Sequence, residues 1–463
     1  VDMDPLALLP EILLAGAAVV GLLLGSHLPR RRQWLVAVLA LVACVAGTGA
    51  TAVVWFRADM AVFGGSYVVD VATNATRVTV LVAVVLVLGL AVGPLRGARR
   101  EAEFVVLVLL SALGAVLLAG ADDLLLLAAS YLLASIPLYA LAGFAKDAPG
   151  TEAALKFYLM GALPGVVVPA GVAVLLGVGG TTGYAGLSGG LDAAPRAAVA
   201  VGGVAVLAGL LFKAGAVPAH FWVPDVTEGA RPVVAALVTT VPKIGAVVAV
   251  HRFITTPMAS SPVDWGMLVA VIAAVTMTLG NLAAFFQDNV RRLLAYSTIS
   301  QVGYLLVGVA AGRGDLALPG VLLYLLGYAV TNLGAFAVVC ALPAAALRTD
   351  YRGLVRRRPW LAVSLVVLLL GLVGTPPTAV FAGKLLVFTA ALDAGLGWLV
   401  VLAAVNTVAS VFYYLRWIGP AVRGDATTRF TTDRWAEVTA YVTAGASVLL
   451  GVLTGPVLAL VGP

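Results

Sequence analysis

Apolar residues run along this chain in long blocks separated by short polar stretches. A helix of about 20 apolar residues crosses the hydrocarbon core of a bilayer. On that rule the pattern predicts fourteen spans, over 5–27, 34–56, 74–95, 103–120, 122–144, 151–177, 196–222, 231–254, 263–286, 292–312, 316–346, 360–391, 395–419 and 436–461. The glycine-rich stretch 178–195 and the polar stretch 420–434 read as loops. Two spans are interrupted, the seventh near Gly215 to Pro218 and the twelfth at Gly371-Leu372-Val373-Gly374-Thr375-Pro376-Pro377. Broken helices at matching positions of two halves point to inverted repeats around a midplane site. The expected fold is therefore an all-α polytopic membrane protein with two inverted five-helix repeats, helices 4–8 and 9–13, in which helices 7 and 12 are broken. It forms one transmembrane domain over 1–463: N-terminal helices in 1–100, first repeat in 101–254, second repeat in 262–419 and a C-terminal helix in 435–463.

Composition narrows the function. The chain is 62% hydrophobic and 11% charged, against about 45–50% and 25% in an ordinary soluble protein, which leaves no room for a large soluble domain. The net charge of +6 is spread over short loops and is no nucleic-acid signal. Cys44 and Cys340 lie in separate spans, so neither a disulfide nor a thiolate metal site is expected. The first apolar run contains Glu11 and lacks a basic start, so it is expected to stay as a helix rather than act as a cleaved signal. Arginine and lysine crowd the odd-numbered loops, as in Arg30-Arg31-Arg32, Arg96, Arg99, Arg100, Arg291, Arg292 and Arg356-Arg357-Arg358. The even-numbered loops hold only Arg57, Arg77, Arg196, Arg252 and Arg313. Basic loops stay on the cytoplasmic side, so both termini should face away from it.

The candidate chemistry is ionic. Lys213, Lys243 and Lys384 lie inside apolar spans, where a charge costs roughly 2.5–3.5 kcal/mol on insertion scales. Such groups line a pathway, pair with one another, or both; a desolvated ammonium is also able to exchange its proton near neutrality. Glu152 and Lys156, four apart with the acid first, suit a helix-surface pair; Glu152 could instead face Lys213. His220 could relay protons or be a hydrogen-bonded buried histidine. Asp225 and Glu228 read as caps or arginine partners, and Asp122-Asp123 as a solvated turn. There is no phosphate loop, metal-ligand set or dinucleotide fingerprint, so the chain cannot oxidise a nicotinamide alone.

Several segments together resemble a known family: Glu152-Ala153-Ala154-Leu155-Lys156-Phe157-Tyr158, Phe212-Lys213, the run from Pro218 through His220 and Asp225 to Ala230, Val241-Pro242-Lys243, Arg291 through Ser300, and Pro376-Pro377 with Phe381-Ala382-Gly383-Lys384. They resemble the antiporter-like membrane subunits of bacterial respiratory complex I, the subunit N family most closely. The resemblance implies a proton-translocating subunit of an NADH:quinone oxidoreductase in the cell membrane, with Lys213, Lys243 and Lys384 as proton-transfer residues and His220 in their hydrated connection. It implies NADH, FMN, iron–sulfur clusters and quinone bound by other subunits and no cofactor here. The implied partners are an M-like antiporter subunit, small K-like and J-like subunits and the lipid bilayer. Relatives carry a fifth-helix glutamate where Leu132 stands; Glu152 is the nearest replacement. They often carry histidine where Gln301 stands and tyrosine where Thr227 stands. The rival reading is a subunit of a multisubunit cation/proton antiporter or of a related membrane-bound hydrogenase complex.

Overall fold

A computed structural model describes residues 5–424 and 432–462. Residues 425–431 of the predicted loop 420–434 lie outside the described residues. The first three crossings are α1 (Leu9–His27), α2 (Trp34–Val54) and α3 (Val71–Leu95). A first five-crossing unit follows: α4 (Glu101–Gly120), α5 (Leu124–Ala142), α6 (Ala148–Gly179), the short surface helix α7 (Tyr184–Gly190), the broken pair α8 (Arg196–Ala214) and α9 (Trp222–Gly229), and α10 (Pro232–Thr255). The second unit repeats the order with α11 (Trp265–Ala284), α12 (Val290–Ala310), α13 (Ala317–Ala341), a short turn of helix α14 (Leu354–Arg357), the broken pair α15 (Pro359–Val373) and α16 (Ala379–Asp393), and α17 (Gly397–Val422). The chain closes with α18 (Arg434–Val452) and α19 (Thr454–Val461).

Among the described residues thirteen helices are long and apolar enough to cross a membrane. The α15–α16 pair, 15 residues in each half, supplies the fourteenth crossing that the pattern predicts. Five crossings per unit is an odd number, so the second unit starts from the opposite side and is inverted. Both units open on a close glycine contact. A Cβ on Gly114 of α4 would stand 2.3 Å from the Ala134 nitrogen of α5, and one on Gly280 of α11 would stand 2.5 Å from the Ser300 nitrogen of α12. Small residues of this kind let membrane helices approach backbone to backbone.

α10, α12 and α13 are each buried along nearly their whole length. They form the centre of the bundle, and their polar residues therefore meet one another rather than lipid.

The structure corrects the sequence reading in several places. The predicted loop 178–195 contains α7. The seventh crossing continues past 222 to the end of α9, and the last helix breaks after Val452. A two-stranded hairpin, Met60–Val62 with Tyr67–Val69, precedes α3, whose start is capped by Asp70 accepting from the Thr73 N–H at 2.9 Å. Arg77, read as a loop residue, is fully buried inside α3 and bonded to Glu11 of α1 at 2.7 Å.

Candidate functional site

The breaks follow from glycine. α8 stops at Ala214 because Gly215 adopts φ +79°, which turns its N–H back to the Leu211 carbonyl at 2.8 Å. α15 stops at Val373 because Gly374 adopts φ +87°, with its N–H 2.9 Å from the Gly371 carbonyl. Only glycine takes this conformation without steric cost. Each broken half-helix then presents unpaired terminal carbonyls inside the protein.

A buried lysine caps each of these ends. Lys243 of α10 donates to the Ala214 carbonyl at 2.5 Å, and Lys384 of α16 donates to the Val373 carbonyl at 2.8 Å. In both cases the acceptor is the last carbonyl of the half-helix. That end carries a partial negative charge, which favours an ammonium with no carboxylate beside it. Aromatic faces complete the two nests: the Lys243 nitrogen lies 5.6 Å from the Trp222 ring and the Lys384 nitrogen 3.9 Å from the Tyr304 ring. Cation–π attraction is strongest where both groups are desolvated.

Lys213 sits in the last turn of α8, next to the carbonyl that holds Lys243. Its ammonium donates to the Ser135 hydroxyl and lies 5.2 Å from the Tyr131 ring, both on α5. Among the described residues no carboxylate pairs with it.

Between Lys243 and Lys384 runs a seam of polar side chains. One turn before Lys243, Thr239 and Thr240 accept from Asn332 at 3.1 and 2.8 Å, and the Thr239 carbonyl accepts from Tyr328 at 2.8 Å. The Tyr328 hydroxyl also lies 3.2 Å from that of Thr298 of α12. One turn along α12, Gln301 accepts from Tyr324 at 2.5 Å and donates to the Leu372 carbonyl at 2.7 Å. Leu372 precedes Val373, whose carbonyl holds Lys384. Beyond Lys384, Tyr304 accepts from Asn281 at 3.3 Å, which in turn accepts from Tyr413 at 3.0 Å. Side-chain atoms of Ser130, Tyr131, His220, Ser300 and Asn332 are buried without a protein partner. Buried polar atoms of this kind are ordinarily satisfied by water.

Tyr324, Tyr328 and Asn332 were not singled out from the sequence. Their spacing of four along α13 puts them on one helix face, and that periodic polar stripe is the signal that finds them. Gln301 supplies a link in the seam through its two hydrogen bonds.

The other candidates divide. His220 lies buried in the first break, its ring tilted against that of Phe221 at 4.4 Å between centroids, with no hydrogen bond to any of the three lysines. Glu152 does not face Lys213. It is exposed and pairs with Lys156 at 2.8 Å, and Lys156 in turn lies 3.5 Å from Asp225. The reason is its place on α6, whose inner stripe is Ala153, Phe157 and Gly161. Leu132 also points outward, and Tyr131 and Ser135 occupy the inner face of α5. Asp225 and Glu228 pair with Arg292 at 3.5 and 2.8 Å. With Glu152, Lys156 and Arg291 they line a polar recess of about 370 Å³. Asp123 caps α5 and accepts from Thr182 at 2.6 Å. Asp122 is half-buried rather than solvated, and that burial pushes its carboxyl above the usual range.

The sequence matches the family described as NADH:quinone oxidoreductase/Mrp antiporter, TM, over residues 121–410. It is 56% identical to NADH-quinone oxidoreductase subunit N 1 of Streptomyces griseus, across 100% of this chain and 98% of that one. The chain belongs to the NADH-quinone oxidoreductase subunit N family. A chain of respiratory complex I from Thermus thermophilus superposes with a TM-score of 0.85 at 32% identity, covering 98% of this chain and all of the other. A chain of the Mrp complex from Dietzia superposes with a TM-score of 0.87 at 21% identity, over 99% of this chain and 97% of that one; this second likeness is one of fold. The subunit N family therefore shares its architecture with antiporter subunits, and the lysine nests sit on that common frame.

Proposed function

We propose that this chain is a proton-translocating subunit in the membrane arm of an NADH:quinone oxidoreductase, with Lys213, Lys243 and Lys384 as its proton-carrying groups. The observation behind the assignment of residues is the pair of matching nests, Lys243 on Ala214 and Lys384 on Val373, joined by the polar seam. A change of charge in a neighbouring subunit alters the proton affinity of Lys213. The proton then passes to Lys243, held on the adjoining residue, and through hydrated polar groups toward Lys384. Moving one charge across 100 mV requires about 2.3 kcal/mol, comparable to a swing of roughly two pKa units at 1.36 kcal/mol each. His220 supplies a buried imidazole beside the first break.

The protein is organised as one domain, with the two repeats over 101–254 and 262–419 flanked by residues 1–100 and 435–463. NADH, FMN, iron–sulfur clusters and quinone belong to other subunits. The immediate neighbours are an M-like antiporter subunit and small K-like and J-like subunits. Both termini face away from the cytoplasm of the cell membrane. Supporting that orientation, Arg77 and Arg252, two of the few basic residues on the terminal side, are drawn into pairs with Glu11 and Asp70 at 2.7 and 2.8 Å, so that side offers even less free positive charge.

Purification from membranes tests the assignment. Co-purification with flavin- and iron–sulfur-containing subunits supports it. A stable assembly free of redox centres would replace it with the antiporter reading. Two variants probe the site. Gly215→Ala puts a Cβ 2.7 Å from the Lys243 nitrogen and 2.8 Å from Val223 and forces a left-handed backbone at about 1–2 kcal/mol. NADH-driven quinone reduction should fall about tenfold, the equivalent of 1.36 kcal/mol in a barrier. Gly16→Ala, where a Cβ meets nothing within 4 Å, should leave it unchanged. Glu152→Gln should leave assembly and turnover at wild-type levels, because its partner is a surface lysine.

A further inference from the structure

A groove of about 530 Å³ opens on the outer surface between α2, α3, α4 and α18, far along the chain from the lysine nests. Its walls are apolar, with Val38 and Leu41 of α2 facing Val85 and Leu88 of α3. Two half-exposed tryptophans, Trp34 and Trp435, flank one end. Each stands at the start of its helix, α2 or α18, so both mark the same membrane–water boundary, where indole rings settle. Arg96 lines the groove at that end, exposed and with no carboxylate partner among the described residues. Exposed Arg30, Arg31 and Arg32 precede α2, Arg99 follows α3, and Arg434 opens α18. Two carboxylates stand near that end: Glu101, which also lines the groove, accepts from the Gly97 N–H at 2.9 Å, and Asp433 caps α18, accepting from the Trp435 N–H at 2.8 Å.

We infer that this groove holds an anionic phospholipid of the bilayer, its phosphate against Arg96 and an acyl chain along the α2–α3 wall. The charge pattern selects this occupant. A polypeptide helix would need only the apolar walls, whereas an arginine without a carboxylate partner lining the slot at headgroup level, between interfacial tryptophans, matches a negatively charged headgroup with its tail attached. Basic pockets between membrane helices on the side rich in arginine bind such lipids.

The test places a photoreactive benzophenone side chain at position 41, in place of Leu41, in the intact complex. The complex is reconstituted in phosphatidylcholine vesicles containing a minor fraction of phosphatidylglycerol. Illumination should attach phosphatidylglycerol in preference to phosphatidylcholine, by about fivefold over the bulk ratio for one arginine at the surface. Arg96→Gln should return the adducts to the bulk ratio. Val38→Trp, which fills the slot without touching the charge, should abolish lipid adducts of both kinds. Adducts at the bulk ratio in the wild-type background, an enrichment that survives Arg96→Gln, or attachment to a peptide of another subunit would each overturn the proposal.

Discussion

Replacing Lys243 by alanine should lower NADH-driven quinone reduction by about tenfold or more while the complex still assembles. The side chain is fully buried and its ammonium holds the last carbonyl of α8. Alanine leaves that carbonyl unpaired and removes the ammonium that stands beside Lys213's neighbour and one turn from the Thr239–Tyr328 end of the seam. The loss of one charge-assisted hydrogen bond is worth about 1.5–3 kcal/mol, and 1.36 kcal/mol is a factor of ten in rate. Lys243→Arg distinguishes charge from geometry. A guanidinium keeps the positive charge but does not release a proton at physiological pH, so it should assemble normally and stay as slow as the alanine variant. Steady-state turnover in membranes with matched complex content is the measurement; wild-type turnover in Lys243→Arg would show that charge alone suffices there.

The largest effect on stability is expected far from the lysines, at Glu11→Ala. Arg77 is fully buried and donates to both carboxylate oxygens of Glu11 at 2.7 and 2.8 Å, to Asn74 at 2.9 Å and to the Ala7 carbonyl at 2.9 Å. Tyr67 adds a further bond to Glu11 at 2.7 Å. Deleting the carboxylate strands a guanidinium in the interior, which typically costs 3–5 kcal/mol. The α1–α3 contact should loosen, seen as a lower thermal transition of the purified complex and reduced incorporation of this subunit. Glu11→Gln retains an acceptor and should lose less. Unchanged stability in Glu11→Ala would mean that the pair does not hold the N-terminal helices.

Much of this architecture was legible in the sequence because its signals are strong ones. Blocks of about 20 apolar residues mark crossings, and Gly215 and Gly374 mark the breaks because few other residues take their backbone angles. The three lysines stand out by the cost of burying them. For Glu152 the sequence leaves two readings open, because its i,i+4 relation to Lys156 says nothing about which face of α6 turns inward; the structure shows the surface pair. The row Ala153, Phe157, Gly161 carries that information, and Glu152 falls outside it. Arg77 was misplaced for a related reason: its partner Glu11 lies in another helix, and no local pattern joins them. The hairpin and α7 are too short for periodicity to register. The seam was hidden differently, since tyrosines and threonines in apolar helices look like packing until α10, α12 and α13 are seen to meet at the centre.

The central claim is that protons cross this subunit by way of its buried lysines. Protons moved per electron, measured in closed vesicles carrying the intact complex with Lys384→Ala, test it most directly. A ratio below that of the wild type is expected, with whatever turnover remains uncoupled from this subunit's share of transport. A wild-type ratio at wild-type turnover would contradict it.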